Sequence, residues 1–355
     1  MKISEIEDIL DVVDGRYGQI YFFHDDQYLG RSLREYGEWA QKEINFLGGF
    51  LEDGSIVLDI GAFIGTHSMA FAKLVGPNGF VYSFEPHPTY FYVLQKNLKL
   101  NNILNAKSIH AALADQSSIM QIEEFNFEAS NNPGNAKIMN AKSKLNMINV
   151  GARTLDSFDI KTCNLIKIDV EGMEYSVLSG ALSTIKKCQP IIYSECNSAD
   201  SAWPVVLLMR SLGYQLYLYS EEAYNPKNFK KNPINFWENA RELAIVAIPP
   251  HLTIYSNEIF NNVDIDIIKI DKLDDLILCL IKKPQYKEEV LSNSNPAKRW
   301  GNNFWMNEGE INKEIFQLQK LTNDQYELID KILKSKSWRL TAPFRWLVET
   351  KKKYF

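Results

Sequence analysis

The segment Leu58–His67, LDIGAFIGTH, constrains the fold more than any other part of the chain. An apolar run (Ile56, Val57, Leu58) leads into an acid, Asp59. A turn with Gly61 and Gly65 follows, and then an apolar-periodic run from Thr66 to Val75. This order reads as strand, glycine loop and helix. About 20 residues past the loop, the spacing of a nucleotide-binding βαβ unit, a second strand (Phe80 to Phe84) ends on Glu85. Carboxylates at the ends of adjacent parallel strands, beside a glycine loop, describe a pocket for an adenosine-bearing cofactor.

The loop itself selects the cofactor. A dinucleotide site needs G-x-G-x-x-G, because the pyrophosphate must approach the backbone and rest on a helix N-terminus. Here the middle glycine is replaced by Phe63, and Asp59 puts a negative charge close to where a diphosphate would lie. S-adenosylmethionine carries no phosphate, and its amino and sulfonium groups are cationic, so an acid before the loop suits it. Glu85 would accept from both ribose hydroxyls, since an ionised carboxylate offers only acceptors. The alternative is that Asp59 and Glu85 cap strand ends in another kind of α/β protein.

With these residues in view, the chain resembles the FkbM family of S-adenosylmethionine-dependent methyltransferases. The resemblance runs through VLDIGAFIGTHS (57–68), VYSFEPHP (81–88), LQKNLKLN (94–101), ALAD (112–115), TLDSF (154–158), LIKIDVEGMEYSVLSGA (165–181) and the strand ending SEC (194–196). DDQYLGRSLREYGEW (25–39) is similar to the family's N-terminal segment. The family usually has a small polar residue, often Asn, where this chain has Phe63. The resemblance implies a class I methyltransferase fold, a Rossmann-like and mostly parallel seven-stranded sheet with helices on both faces. It also implies a cofactor site in which Asp59, Gly61 and Gly65 hold the methionine end, Glu85 the ribose and Asp115 the adenine amine; Ala62, within the loop, and His67, at the start of the first helix, are expected to line the same cofactor pocket.

The remaining elements follow from pattern. Strands are expected at 56–60, 79–84, 106–111, 164–169, 190–195, 214–219 and 242–248, and helices at 66–75, 88–100, 173–186 and 202–212. Such alternation implies a parallel sheet covered on both faces. The pair 214–219 and 242–248 suits the antiparallel end hairpin of a methyltransferase sheet. Residues 1–50 read as an N-terminal cap with helical spacing at Ile3, Ile6, Ile9 and Leu10, a strand at 19–23 and a helix over 32–50, and residues 51–250 as the cofactor-binding domain. Residues 251–355 read as an extension with a small α/β element in 257–283 and an amphipathic helix at 310–333 that makes a homodimer plausible. The stretch 116–153 either shapes the acceptor site or is a surface excursion.

Composition narrows the function classes. A net charge of −5 gives no global drive toward nucleic acid. The four cysteines (Cys163, Cys188, Cys196, Cys279) form no CxxC pair, which argues against a zinc site or disulfide framework and for a reducing, cytoplasmic setting. No apolar stretch reaches the ~18–20 residues of a membrane-spanning helix.

Chemistry is expected at the carboxyl ends of the strands. Methyl transfer from a sulfonium needs alignment, plus a base if the nucleophile is a neutral hydroxyl. Asp169 or Glu171 could take that proton. Asp169 could instead bind the cofactor's amino group, and Glu171 could simply favour the following helix N-terminus. Asp169, Glu195 and Asn197 offer oxygen ligands that would suit Mg²⁺, although nothing in the family pattern requires a metal. His87, flanked by prolines, reads as structural.

From Lys331 onward, Lys/Arg at 331, 334, 336, 339, 345, 351, 352 and 353 face one acid, Glu349, and are interleaved with Trp338, Phe344 and Trp346. That pattern suits either an anionic membrane surface or docking on the core. SWRLTAPFRWL also resembles tails of bacterial envelope-polysaccharide enzymes. The expected activity is O-methylation of a sugar hydroxyl in surface glycan assembly, with peripheral contact at the inner face of the membrane. The alternatives are a small-molecule methyltransferase for secondary metabolites and a non-catalytic scaffold.

Overall fold

The computed structural model describes residues 3–124, 147–255, 260 and 266–281. The segment 129–137, the helix expected at 310–333 and the basic tail lie outside the described residues. The N-terminal segment forms α1 (Ile3–Glu7), β1 (Leu10–Gly15), β2 (Gly18–Phe23), α2 (Leu29–Tyr36) and α3 (Gln41–Gly48). Then come β3 (Ile56–Ile60), α4 (Thr66–Leu74), β4 (Phe80–Phe84), α5 (Pro88–Leu100), β5 (Ala106–Ile109), β6 (Ala112–Leu113), β7 (Ser118–Glu123) and β8 (Met147–Arg153). The chain continues through β9 (Leu165–Ile168), α6 (Glu174–Ser179), α7 (Leu182–Cys188), β10 (Ile191–Glu195), α8 (Ala199–Ser211), β11 (Gln215–Glu222), β12 (Arg241–Ile248), β13 (Asp266–Lys269) and α9 (Leu273–Ile281).

The main sheet has the order β13-β11-β12-β10-β9-β3-β4-β5. β10, β9, β3, β4 and β5 are mutually parallel, whereas β12, β11 and β13 add antiparallel at one end. The end hairpin is therefore present, and the sheet has eight strands rather than seven, because Asp266–Lys269 pairs with β11. β6, β7 and β8 form a separate small sheet.

Strand alternation sorts the apolar residues into two cores. Leu58, Ile60, Ile166, Ile168 and Ile192 join Val177, Val205 and Met209 on one face. Val57, Val81, Leu165 and Ile191 join Phe46, Phe71 and Val75 on the other. Burial on both faces is why the central strands read as continuous apolar runs.

Three local expectations are corrected. The helix expected over 32–50 is broken between Tyr36 and Gln41, where Gly37 takes a left-handed φ of 68°. The helical spacing from Ile3 to Leu10 ends at Glu7, and Leu10 instead begins a hairpin strand. The helix expected over 173–186 is divided at Gly180, where a Cβ would stand 2.0 Å from the Ala114 carbonyl oxygen.

The N-terminal segment is tied to the β11–β12 connection. The Tyr36 ring stacks on Phe236 at 4.7 Å, and its hydroxyl donates to the Ile234 carbonyl at 2.7 Å. Buried Glu38 accepts from Arg16 Nε (2.8 Å), Asn225 Nδ2 (2.7 Å) and the Phe229 N–H (2.8 Å). Asn97, fully buried on α5, donates to the Tyr21 and Ile64 carbonyls and accepts from the Tyr21 N–H, so the hairpin is pinned beside the glycine loop.

Candidate functional site

The strand–loop–helix unit folds as its glycines demand. Gly61 has φ 82°, and a Cβ there would lie 1.8 Å from the Asp169 carbonyl oxygen, so β3 and β9 close together only with glycine at this point. Gly65, with φ 93°, caps α4 and packs on Leu94. Phe63 also sits in the left-handed region, φ 48°, where a bulky side chain is unusual and asparagine is tolerated. Its ring is held edge-on against Tyr90 at 4.7 Å.

A cavity of about 560 Å³ opens at the carboxyl ends of β3, β4, β9 and β10. Of the expected site residues, Gly61, Ala62, His67, Glu85, Asp169 and Glu171 line it. Asp59 lies behind it, fully buried, with Oδ2 accepting from Ser68 Oγ at 2.6 Å. Gly65 shapes the loop from outside the lining. Asp115 is exposed, also outside the lining, and its carboxylate accepts from Ser176 Oγ at 3.0 Å. His87 is the N-cap of α5, accepting the Thr89 N–H through Nδ1, and burial lowers its pKa to about 4.

Glu85 carries the clearest ligand geometry. Its Oε2 accepts the Phe63 N–H at 2.8 Å and its Oε1 the His87 N–H at 2.7 Å. These bonds fix the carboxylate at the cavity wall, and each oxygen keeps a second lone pair for a ligand hydroxyl. Burial raises its pKa to about 8, aided by Asp59 and Asp169 and opposed by the two backbone N–H groups.

Beneath the cavity floor runs a polar row across the sheet. Cα pairing aligns Ser83 with Asp59, Asp59 with Lys167 and Lys167 with Tyr193. Lys167 Nζ lies 3.1 Å from Asp169 Oδ2 and 3.9 Å from Asp59 Oδ1. Burial opposes the charge on Lys167, but Asp169 and Asp59 outweigh it and raise its pKa. Burial likewise opposes ionisation of Asp169, yet Lys167 lowers its pKa. Asp169 is also hydrogen-bonded to Glu195. Its side chain keeps 40 % of its surface exposed, enough to meet a ligand.

Glu171, with φ 52°, occupies the turn after β9. Carboxylate oxygens of Asp169, Glu171 and Glu195 lie within 4.8 Å of one another, the spacing of a cation site. Lys167 already places a positive charge against that cluster.

Sequence reasoning did not reach the opposite wall. Tyr28 and Trp39 from the N-terminal segment, Glu43 from α3, and Trp237 and Glu242 from the β11–β12 region line the same cavity. Trp237 stacks with Tyr28 (6.4 Å) and meets Trp39 edge-on (5.8 Å). Glu43 Oε1 lies 3.0 Å from His67 Nε2. The only signal in the sequence was PINFWENA (233–240), aromatic residues in an otherwise polar connection.

The residues present fit S-adenosylmethionine. The glycine cradle admits backbone approach, Glu85 suits a vicinal diol, and Asp169 beside the loop suits a cationic amino acid end. The methyltransferase FkbM domain matches residues 59–216. Among curated proteins, Methyltransferase 1 of Beauveria bassiana (strain ARSEF 2860) is 25% identical over 147 residues, which is 36% of this chain and 59% of that protein. Methyltransferase sdnD of Sordaria araneosa is 30% identical over 123 residues, 34% of this chain and 46% of its own. The chain thus spans about half the length of the curated relatives it matches. Among solved structures, methyltransferase FkbM from Methylobacillus flagellatus KT is similar at 17% identity with a TM-score of 0.38, covering 55% of this chain and 44% of that one.

Proposed function

We propose, from the match of residues 59–216 to the methyltransferase FkbM domain, that the protein is an S-adenosylmethionine-dependent O-methyltransferase whose acceptor is a sugar hydroxyl. The observation that carries the cofactor reading is Glu85, a buried carboxylate fixed by two backbone N–H groups at the end of the strand beside the glycine loop. The acceptor reading is supported by the Tyr28–Trp39–Trp237 wall, since carbohydrate rings present C–H faces that pack on aromatic rings.

When bound, the cofactor supplies a methyl group on sulfonium, and displacement by the acceptor oxygen forms the O–C bond as the C–S bond breaks, leaving S-adenosylhomocysteine and the acceptor's proton. The chain's part is alignment and proton removal. Gly61 and Ala62 admit the cofactor against the loop, and Glu85 fixes the ribose. Asp169, held by Lys167, would position the amino group. Glu171, at the rim of the same strand end, or the Asp169–Glu195 pair would accept the proton. Asp115, whose Oδ1 accepts from Ser176 Oγ, would accept from the adenine amine through its other carboxylate oxygen.

Calorimetric titration of S-adenosylmethionine and NAD⁺ into the wild type and Glu85→Ala tests this reading. Micromolar S-adenosylmethionine binding, lost in the variant and absent for NAD⁺, is the expected result. Folded protein that binds no S-adenosylmethionine would overturn it and leave a scaffold role.

A further inference from the structure

The wall facing the cofactor loop is built largely from residues outside the family-matched segment 59–216. Its aromatic part is Tyr28, Trp39 and Trp237, and its polar part is Glu43, Glu242 and the Asp169–Glu195 pair. Among the described residues, no arginine lines the cavity and Lys167 is its one lysine. Lys167 is 3% exposed at its side chain and already lies against Asp169 and Asp59. Of the two histidines that line it, His67 lies 3.0 Å from Glu43 and His87 caps α5. Phosphate recognition relies on arginine, lysine or a helix N-terminus. The N-terminus of α4 reaches the cavity through Thr66 and His67, where it already meets the Glu43 carboxylate.

We infer that this wall is an acceptor subsite that takes an uncharged or cationic polyhydroxylated ring and rejects phosphorylated ones. Aromatic faces and carboxylate acceptors serve a ring whose hydroxyl or ammonium groups donate hydrogen bonds. A phosphate placed there would meet carboxylates, and among the described residues no uncommitted lysine or arginine lines the cavity to neutralise it. The inference rests on the methyltransferase reading and adds an order of events. The reacting sugar reaches this site after a glycosyl-transfer reaction has detached it from its nucleotide or phosphate carrier, not before.

The test is calorimetry on protein loaded with S-adenosylhomocysteine. The probes, across a panel of hexoses and deoxyhexoses, are the methyl glycoside, the amino-sugar glycoside, the sugar 1-phosphate and the nucleoside diphosphate sugar. In each series that binds, the neutral or cationic form should bind at least about 100-fold more tightly than the phosphorylated forms, the scale of like-charge exclusion in a desolvated site. Trp237→Ala should lose sugar binding, and Glu43→Gln should narrow the gap about tenfold, each with the S-adenosylmethionine isotherm as its control for folding. Equal or tighter binding of a phosphorylated form, or binding of none of the probes, overturns the inference. Failure of S-adenosylmethionine itself to bind the wild type would instead overturn the methyltransferase reading.

Discussion

Glu85 should make cofactor affinity depend on pH, and the size of the effect follows from its surroundings. Burial raises its pKa to about 8 in the free protein. A carboxylate that accepts two ribose hydroxyls, with a sulfonium nearby, is stabilised in its ionised form. The cofactor therefore binds the ionised fraction. That fraction is about one in a hundred at about pH 6 and about one half at about pH 8, so affinity should rise about 50-fold between them. One proton should leave on binding at the lower pH, which calorimetry in two buffers of different ionisation enthalpy measures directly.

Glu85→Gln should flatten the profile and bind about 10–100-fold more weakly at about pH 8, the loss of charge-assisted hydrogen bonds. The stability of the free protein carries the matching sign. A folded-state pKa above the ordinary glutamate value of 4.5 means that stability is fully present below that value and falls as pH rises toward about 8. The loss is ~3 kcal/mol at about pH 7. A dissociation constant constant within about twofold across this range, or a Glu85→Gln variant that keeps the wild-type slope, would refute the reasoning.

Three further outcomes are expected. Gly61→Ala should cost about 3 kcal/mol or more in urea unfolding and abolish the cofactor isotherm, because its Cβ would meet the Asp169 carbonyl at 1.8 Å. Lys167→Met should cost about 3–5 kcal/mol by leaving Asp59 and Asp169 without their cation. The lowered pKa of Asp169 gives stability that is present above its unfolded value and lost as pH falls through the folded one. The variant's deficit should accordingly shrink at acid pH in the same unfolding assay. Millimolar Mg²⁺, Mn²⁺ or Ca²⁺ should raise the thermal midpoint by less than about 1 °C, since Lys167 already neutralises the Asp169 cluster, whereas a cation held at a hundredfold excess would add several degrees.

The parallel core was legible because its strands are buried on both faces and stand in the sequence as short apolar runs between turn formers. Gly61 and Glu85 were legible as positions because they follow from spacing within one βαβ unit, and Asp169 because it ends the apolar run of a separate strand, β9. What escaped depends on partners far along the chain. The break at Gly180 is set by the carbonyl of Ala114, and nothing in EGMEYSVLSGA announces it. The eighth strand needs β11 as its template. The aromatic wall joins residues about 200 positions apart, beyond the reach of periodicity or local motif. Phe63 is a mixed case. Its bulk argued against a dinucleotide, but only the structure shows that it holds a left-handed backbone where the family commonly has asparagine.

The stitching of Tyr36 and Glu38 to the β11–β12 connection has an evolutionary consequence. Two stretches on either side of the family-matched segment 59–216 share one buried hub, so neither can drift without the other. A descendant acquiring a new acceptor would have to exchange both stretches together while inheriting the glycine loop and Glu85 unchanged. Diversification in such a lineage should leave paired changes near positions 28–43 and 225–242, and chimaeras that graft only one of the pair should fold poorly.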